Sequence, residues 1–314
     1  MRQPSVPMAV ATCVIALAAA QAGAQESGSG WIPERTPWGH PDLQGIWDQT
    51  TGTPLEWAAD AGDREFLSDE EAAERERRRF AAFDAPPRAG SPGNYGSQWR
   101  DGSRNALTRT SLITDPADGR IPALTPAGER RVAANRARRQ DHPADSWADR
   151  NLWERCITRG TPRVPNNYNS NILILQTPDA VVLLNEMINE TRVVPLDGRP
   201  RLPDAVRLWN GDARGRWDGD TLVVETTNFS PQQQFRGHPV GGLRLVERFT
   251  RTGPDRIDYE MTLDDPATYT RPWTVVLPMT LTGGPIYEYA CHEGNYGMEG
   301  ILAGPRAEEA AGQP

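Results

Sequence analysis

Residues 243–264 read LRLVERFTRTGPDRIDYEMTLD, and this stretch points most clearly to the fold class. Residues 243–249 have the period of a strand that buries one face: the odd-numbered positions are apolar except for Glu247, and the even-numbered positions are Arg244, Val246 and Arg248. The turn formers of residues 252–255 follow at once. The stretch therefore predicts two antiparallel strands, at 243–251 and 256–264, joined by a tight turn.

The same pattern of short apolar runs and turns extends over most of the chain after residue 170. Asp218-Gly219-Asp220 is typical of a hairpin turn before another strand. Eight or nine such strands in series predict a mainly β fold, an antiparallel up-and-down barrel of lipocalin or calycin type. Closure into a barrel removes exposed edges, and a two-sheet sandwich is the alternative. The other predicted strands are 171–177, 180–188, 191–196, 221–228, 273–281 and 286–292.

The chain before the predicted barrel has a different character. Gly, Pro and polar residues dominate 25–150, and we expect this extended segment to wrap a barrel domain at 151–306. It carries two predicted surface helices, at 69–83 and 126–139, each preceded by a capping residue. Residues 307–314 are expected to form a disordered tail. A Gly-x-Trp near the start, ending at Trp47, also opens the first strand of lipocalin-type barrels.

The first residues have the three parts of a signal peptide. Arg2 precedes an apolar run, and small residues end at Ala24, where we expect cleavage. The run is shorter than the roughly 20 apolar residues of a membrane span, and no later segment reaches that length. We therefore predict a periplasmic or secreted protein with signal peptide 1–24. A lipoprotein anchored at Cys13 is the alternative.

Composition limits the partners and the chemistry. The net charge of −8 makes nucleic acid an unfavourable partner, and all 34 basic residues are arginine, which excludes a lysine base or Schiff base. No nucleotide-binding loop is present, and the four histidines lack the spacing of metal ligands. We expect no cofactor and no metal, and a small molecule as the ligand.

Cysteine counting predicts one disulfide. If the signal peptide is removed, Cys156 and Cys291 remain, 135 positions apart, in an oxidising compartment. Such a bond stabilises by about 4–5 kcal/mol in the loop-entropy model. A nucleophilic or metal-binding thiol is the alternative.

Candidate catalytic residues are His292, Glu293 and Glu186. His292 and Glu293 follow Cys291 directly, so a disulfide would fix an imidazole beside a carboxylate, a pair suited to acid–base chemistry. Glu186 lies in the polar run 185–192 and would be desolvated inside a barrel unless an arginine paired with it. The alternatives are a histidine satisfied at the rim and an internal ion-pair network.

Candidate substrate-binding residues lie near the disulfide or in loops at the expected barrel mouth, where ligands are held. They include aromatic side chains for stacking and arginines for holding an anion. They are Arg163, Asn166, Asn167, Tyr168, Arg192, Trp209, Asp212, His238 and Tyr296.

Several stretches together resemble a family of secreted bacterial proteins with no assigned function. The resemblance covers most of the chain after about residue 40 and implies export and the pairing of Cys156 with Cys291. The stretches are RTSLI at 109–113, DGRIP at 118–122, GRWDGDTLVVETTNF at 215–229, LVERF at 245–249, DPATY at 265–269 with PWT at 272–274, and EYACHEGNY at 288–296.

Three functions are compatible with these observations. The first is an exported, cofactor-independent enzyme of lyase, hydratase, isomerase or hydrolase type, acting by acid–base chemistry on a small organic molecule in a barrel cavity. The second is a lipocalin-like carrier without chemistry, and the third is an interaction module that uses the two helices. The directions of Glu186, Glu247 and Glu260 discriminate between enzyme and carrier.

Overall fold

An antiparallel sheet of ten strands forms the body of the protein in a computed structural model. The structure describes residues 31–57, 64–87, 96–99, 108–164 and 168–312. The strands are β1 Gly45–Asp48, β2 Ile113–Asp115, β3 Asn171–Gln176, β4 Ala180–Asn185, β5 Glu190–Pro195, β6 Asp212–Asp218, β7 Thr221–Thr227, β8 Gln234–Phe235, β9 His238–Pro239, β10 Arg244–Gly253, β11 Arg256–Asp264 and β12 Trp273–Thr282. Strands β8 and β9 form a separate two-stranded sheet.

The strand order is that of a meander. It runs β5-β4-β3-β1-β12-β11-β10-β7-β6, with β2 paired to β12, and every pair is antiparallel. The antiparallel, mainly β fold is therefore confirmed. Strands β5 and β6 are the two ends of this order, and no hydrogen-bonded ladder joins them within the described chain. The two strands nevertheless lie close together around Gly215, where a Cβ would lie 2.8 Å from Val194 Cγ1 and 2.5 Å from Leu196 Cδ2.

Alternation builds the core as the sequence predicts. In β10, Leu245, Glu247 and Phe249 are buried while Arg244 is exposed, and β11 and β12 alternate in the same way. Burial of the apolar face supplies the main driving force for folding. The largest fully buried side chains are Trp47, Trp273, Phe229, Phe249, Leu43, Leu112, Ile113, Ile174, Leu183, Met187, Leu222 and Leu245.

Two predicted strand segments differ from the structure. Strand β4 ends at Asn185 instead of 188, because a short 3₁₀ turn, Met187–Asn189, reverses the chain there. The expected strand at 286–292 is wrong, since this stretch is irregular. The amide of Tyr287 donates to the side chain of Glu186 rather than to a neighbouring strand.

The N-terminal segment enters the sheet instead of only wrapping it. Strand β1 lies between β3 and β12, with Trp47 opposite Ile172 and Leu281. Strand β1 has four residues, and β2, also from this segment, has three. Their shortness hides them in the sequence, because strand patterns need about four to eight residues.

Three helices cover 69–83, 126–141 and 297–310. Helix α1, Asp69–Phe83, begins with a capping box at Ser68, and α2, Pro126–Asp141, begins at Thr125, as the sequence predicts. Helix α3, Gly297–Ala310, extends into the expected tail at 307–314. Its two interior glycines, Gly300 and Gly304, and Pro305 are poor helix formers, which is why the sequence did not predict it.

The signal peptide predicted at 1–24, and with it Cys13, lies outside the described residues. Among the residues that the structure describes, no helix combines the length and the apolar character needed to cross a membrane.

Candidate functional site

A disulfide between Cys156 and Cys291 anchors the irregular C-terminal segment, residues 283–296. The two Cα atoms lie 5.6 Å apart, and the predicted pairing is confirmed. The Asn295 amide adds a second tie by donating to the carbonyl oxygen of Glu154 at 3.0 Å. This segment is thus fixed although it forms no strand.

A surface cavity of about 440 Å³ opens beside this bond, and we call it the disulfide cavity. His292 and Glu293, both predicted catalytic residues, line it and are exposed to solvent. The described residues that line it are Cys156, Ile157, Ile188, Asn189, Glu190, Thr191, Asn210, Glu288, Tyr289, Ala290, Cys291, His292 and Glu293. The volume suits a small molecule.

Glu190 is the most firmly positioned carboxylate in the disulfide cavity. It opens β5, and its Oε1 accepts hydrogen bonds from the Thr158 hydroxyl and the Asn210 side-chain amide. Two donors on one oxygen hold the carboxylate in one orientation. Hydrogen bonds therefore hold the Glu190 side chain in place in this cavity, whereas His292 and Glu293 are exposed to solvent.

Unusual backbone conformations concentrate around the same cavity. Cys156, Ile188 and Asn189 have φ of 54°, 65° and 50°, in the left-handed region that side chains other than glycine rarely adopt. For the β-branched Ile188 this is a marked outlier, and such residues cost on the order of 1–3 kcal/mol each. Strain of this kind clusters at functional sites.

Glu186, the third predicted catalytic residue, is placed differently. It is 2% exposed and does not belong to the lining of the disulfide cavity. One oxygen accepts from the Asn171 side chain at 2.8 Å, and the other accepts from the Tyr287 amide at 3.2 Å. Both oxygens are thus engaged, and Glu186 holds the C-terminal segment in place.

Arg192 forms part of a buried ion-pair network in the sheet interior. Its guanidinium donates to both oxygens of Glu247, at 2.6 and 3.0 Å, and the Tyr259 hydroxyl donates to Glu247 at 2.6 Å. Burial and the charge of Glu247 raise the pKa of Tyr259 well above its usual value, so the phenol stays protonated. The sequence offered this structural network as an alternative. Both terminal nitrogens of the Arg192 guanidinium therefore already donate hydrogen bonds within this network, which does not support its predicted role in binding a substrate.

Arg163 lies beside this network at a cavity of only about 20 Å³, enough for about one water molecule. Burial lowers the pKa of Arg163 to about 10. Its Nη2 is enclosed and has no hydrogen-bond partner. The cavity that the described chain leaves between the Arg192 network and Arg163 is thus far smaller than a ligand site.

The other predicted binding residues do not converge on one place. Trp209 lies in the surface turn before β6, and Tyr296 is 81% exposed. Asp212 accepts from Arg214 at 2.5 Å and from the Leu202 amide at 2.9 Å. Two candidates, Asn166 and Asn167, lie outside the described residues, while their neighbour Tyr168 lies within them.

His238 is also remote from the disulfide cavity lining. Its Nδ1 shares a hydrogen bond of 2.8 Å with the Tyr269 hydroxyl, and the two rings lie 5.6 Å apart. Burial, with a contribution from Arg236, lowers the pKa of His238. The contact ties β9 to the loop before β12, which is a structural role.

Glu186, Glu247 and Glu260 do not converge on a cavity with His292, the arrangement that would favour an enzyme over a carrier. Glu247 points into the core and Glu186 toward the C-terminal segment, while Glu260 alternates with the buried residues of β11. None of the three lines the cavity that holds His292. The sequence missed Glu190 and Asn189 as site residues, although both lie in the polar run 185–192 that it singled out.

Comparison with known proteins gave no match to a family model, a curated protein or a solved structure.

Proposed function

We propose that this protein is an exported enzyme that performs acid–base chemistry, without a cofactor, on a small molecule in the disulfide cavity. The observation that carries the proposal is the shared lining of one cavity by His292 and by Glu190, a carboxylate held by two donors. An imidazole exchanges protons near neutral pH, and a fixed carboxylate stabilises the imidazolium that forms. The clustered backbone strain supports the same location.

The charge of the cavity indicates the class of substrate. Glu190, Glu288 and Glu293 contribute three carboxylates, whereas no arginine belongs to the lining among the residues that the structure describes. Anions are repelled, and the amides of Asn189 and Asn210 offer hydrogen bonds to hydroxyl groups. We therefore propose a neutral, hydroxyl-bearing organic molecule as the substrate.

The role of each residue follows from its position. His292 acts as the base that takes a proton from the substrate or from an attacking water, and later returns it to the leaving group. Glu190 orients the substrate or the imidazole. Glu186 is a positioning residue, since it fixes the C-terminal segment that carries His292.

The small size of the cavity in the sheet interior favours catalysis at the surface site over a lipocalin-like carrier function. A carrier needs a ligand-sized hollow, and the cavity beside Arg163 and Arg192 has only about 20 Å³. We propose that the sheet closes into a barrel where β5 and β6 approach at Gly215, with a packed interior. Export is proposed from the N-terminal pattern and is compatible with the disulfide.

A substrate panel tests the proposal. The full chain is assayed for release of p-nitrophenolate from neutral p-nitrophenyl glycosides and esters. We expect turnover of at least one panel member, reduced by about 100-fold in Glu190→Gln and unchanged in the matched control Glu260→Gln. Absence of turnover across the panel, or equal rates in the two variants, contradicts the proposal.

A further inference from the structure

The chain segment that borders the disulfide cavity also borders a second cavity. Cys156 and Ile157 line the first, whereas Thr158 and Arg159 line a cleft of about 450 Å³ that we call the arginine cleft. Its lining comes from the end of α2, from residues 148–159 and from the loop at 231–237. We propose that the arginine cleft binds a small molecule that carries a carboxylate or phosphate group.

The charge of this cleft is opposite to that of the whole chain. Within the described part of the chain, five arginines line it against one carboxylate, Asp149, although the protein has a net charge of −8. Asp149 pairs with Arg138 at 3.1 Å, and Arg150 pairs with Glu154 at 2.9 Å. The remaining arginines are Arg139, Arg155 and Arg159.

These three arginines have no carboxylate partner in the part of the chain that the structure describes. Arg139 donates to the Gln234 side chain, while Arg155 and Arg159 lie over tryptophan rings, at 4.6 and 4.4 Å from the ring centres. Burial lowers the pKa of Arg159, which indicates a guanidinium that has lost water without gaining a counter-charge. An oxyanion in the cleft would supply that charge.

A buried amide gives independent support. Gln233 is 3% exposed and lines the cleft, and its Nε2 has no hydrogen-bond partner among the described residues. The side-chain Nδ2 of Asn135, in the same lining, also lacks one. Buried donors in native proteins are normally satisfied, so two such donors in the same lining as three arginines without a described carboxylate partner point to an acceptor-rich ligand.

The position of Gln233 depends on Gly160. A Cβ at residue 160 would lie 2.0 Å from the Gln233 Nε2, and Gly160 has φ of +86°. Only glycine meets both requirements without strain. The glycine at position 160 therefore leaves the space that the buried side-chain amide of Gln233 occupies.

The guanidinium groups indicate the chemical class of the ligand. An arginine fork matches the two oxygens of a carboxylate or phosphate, and charge-assisted hydrogen bonds of this kind are strong. The volume fits a small molecule. The site is independent of the proposed catalysis, since none of these arginines lines the disulfide cavity.

Isothermal titration calorimetry of the full chain tests this inference, with inorganic phosphate and phthalate as separate probes. We expect saturable binding of at least one probe, weakened by added salt and reduced at least about tenfold in Arg155→Gln/Arg159→Gln. The control Arg248→Gln/Arg256→Gln removes the same charge elsewhere and should bind as the parent does. Stronger binding of phthalate indicates a carboxylate ligand, and stronger binding of phosphate indicates a phosphorylated one.

Two results overturn the proposal: no saturable binding of either probe, or an equal loss in both double variants. If the cleft variant fails to fold, Gln233→Leu replaces it, and unchanged affinity in that variant contradicts the proposal. His292→Ala should leave the affinity unchanged, which keeps this test separate from that of the catalytic site.

Discussion

The carboxylate of Glu186 accepts a hydrogen bond from the backbone amide of Tyr287 at 3.2 Å, which joins the end of β4 to the C-terminal segment. The same carboxylate accepts from Asn171 at 2.8 Å. This residue therefore connects the strained turn at 187–189 with the segment that presents His292. Its role is architectural, in contrast to the catalytic role that its sequence position suggested.

Replacing Glu186 by Ala tests that role. The change removes two hydrogen bonds to a charged acceptor, from the backbone amide of the exposed Tyr287 and from the half-buried side chain of Asn171, so we expect the free energy of unfolding to fall by about 1–3 kcal/mol in urea titrations. Glu260→Ala serves as the control, because Glu260 makes no comparable buried contact among the described residues. Equal midpoints for the two variants contradict the assignment.

The Cys156–Cys291 bond should stabilise the protein strongly. It links residues 135 positions apart, and we expect Cys156→Ser/Cys291→Ser to lower the free energy of unfolding by about 2–5 kcal/mol. Alkylation followed by mass spectrometry checks the bond itself. Modification of Cys156 or Cys291 in the native, unreduced protein would contradict it.

The Arg192–Glu247 pair makes a different prediction. Glu247→Gln alone leaves a buried charge without its partner and should cost about 3–5 kcal/mol, whereas Arg192→Met/Glu247→Leu should cost much less. A double-mutant cycle by urea unfolding measures the coupling. Additive effects of the single changes would show that the pair does not act as a unit.

His238 predicts a dependence of stability on pH. Burial lowers its pKa in the folded protein, so folding favours the neutral ring. Its stabilising contribution is present above the unfolded pKa, about 6.5, and is lost as the pH falls through the folded pKa. We expect the parent to lose more stability than His238→Asn between about pH 7.5 and about pH 5. Parallel loss in both proteins contradicts this sign.

Patterns of sequence predicted the parts of the fold that depend on local chemistry. Alternation in β10 and β11, the caps at Ser68 and Thr125, and the count of cysteines each reflect a local rule, and the structure has these features. The sequence did not predict strand β1 or helix α3, because neither has a strong local pattern.

The candidate site was only partly predictable, for a tertiary reason. Glu190 and Asn210 are 20 positions apart and meet only because β5 and the turn before β6 bring them together. An isoleucine in the sequence does not predict the left-handed backbone conformation that Ile188 adopts. The sequence singled out His292 as a candidate, but the placement of Glu190 in the lining of the same cavity follows from packing.

The most direct test of the catalytic account is the kcat/KM of His292→Ala on the best substrate of the p-nitrophenyl panel. We expect kcat/KM to fall at least about 100-fold while the melting temperature stays unchanged, because a general base contributes about that factor or more. A kcat/KM equal to that of the parent protein would contradict it.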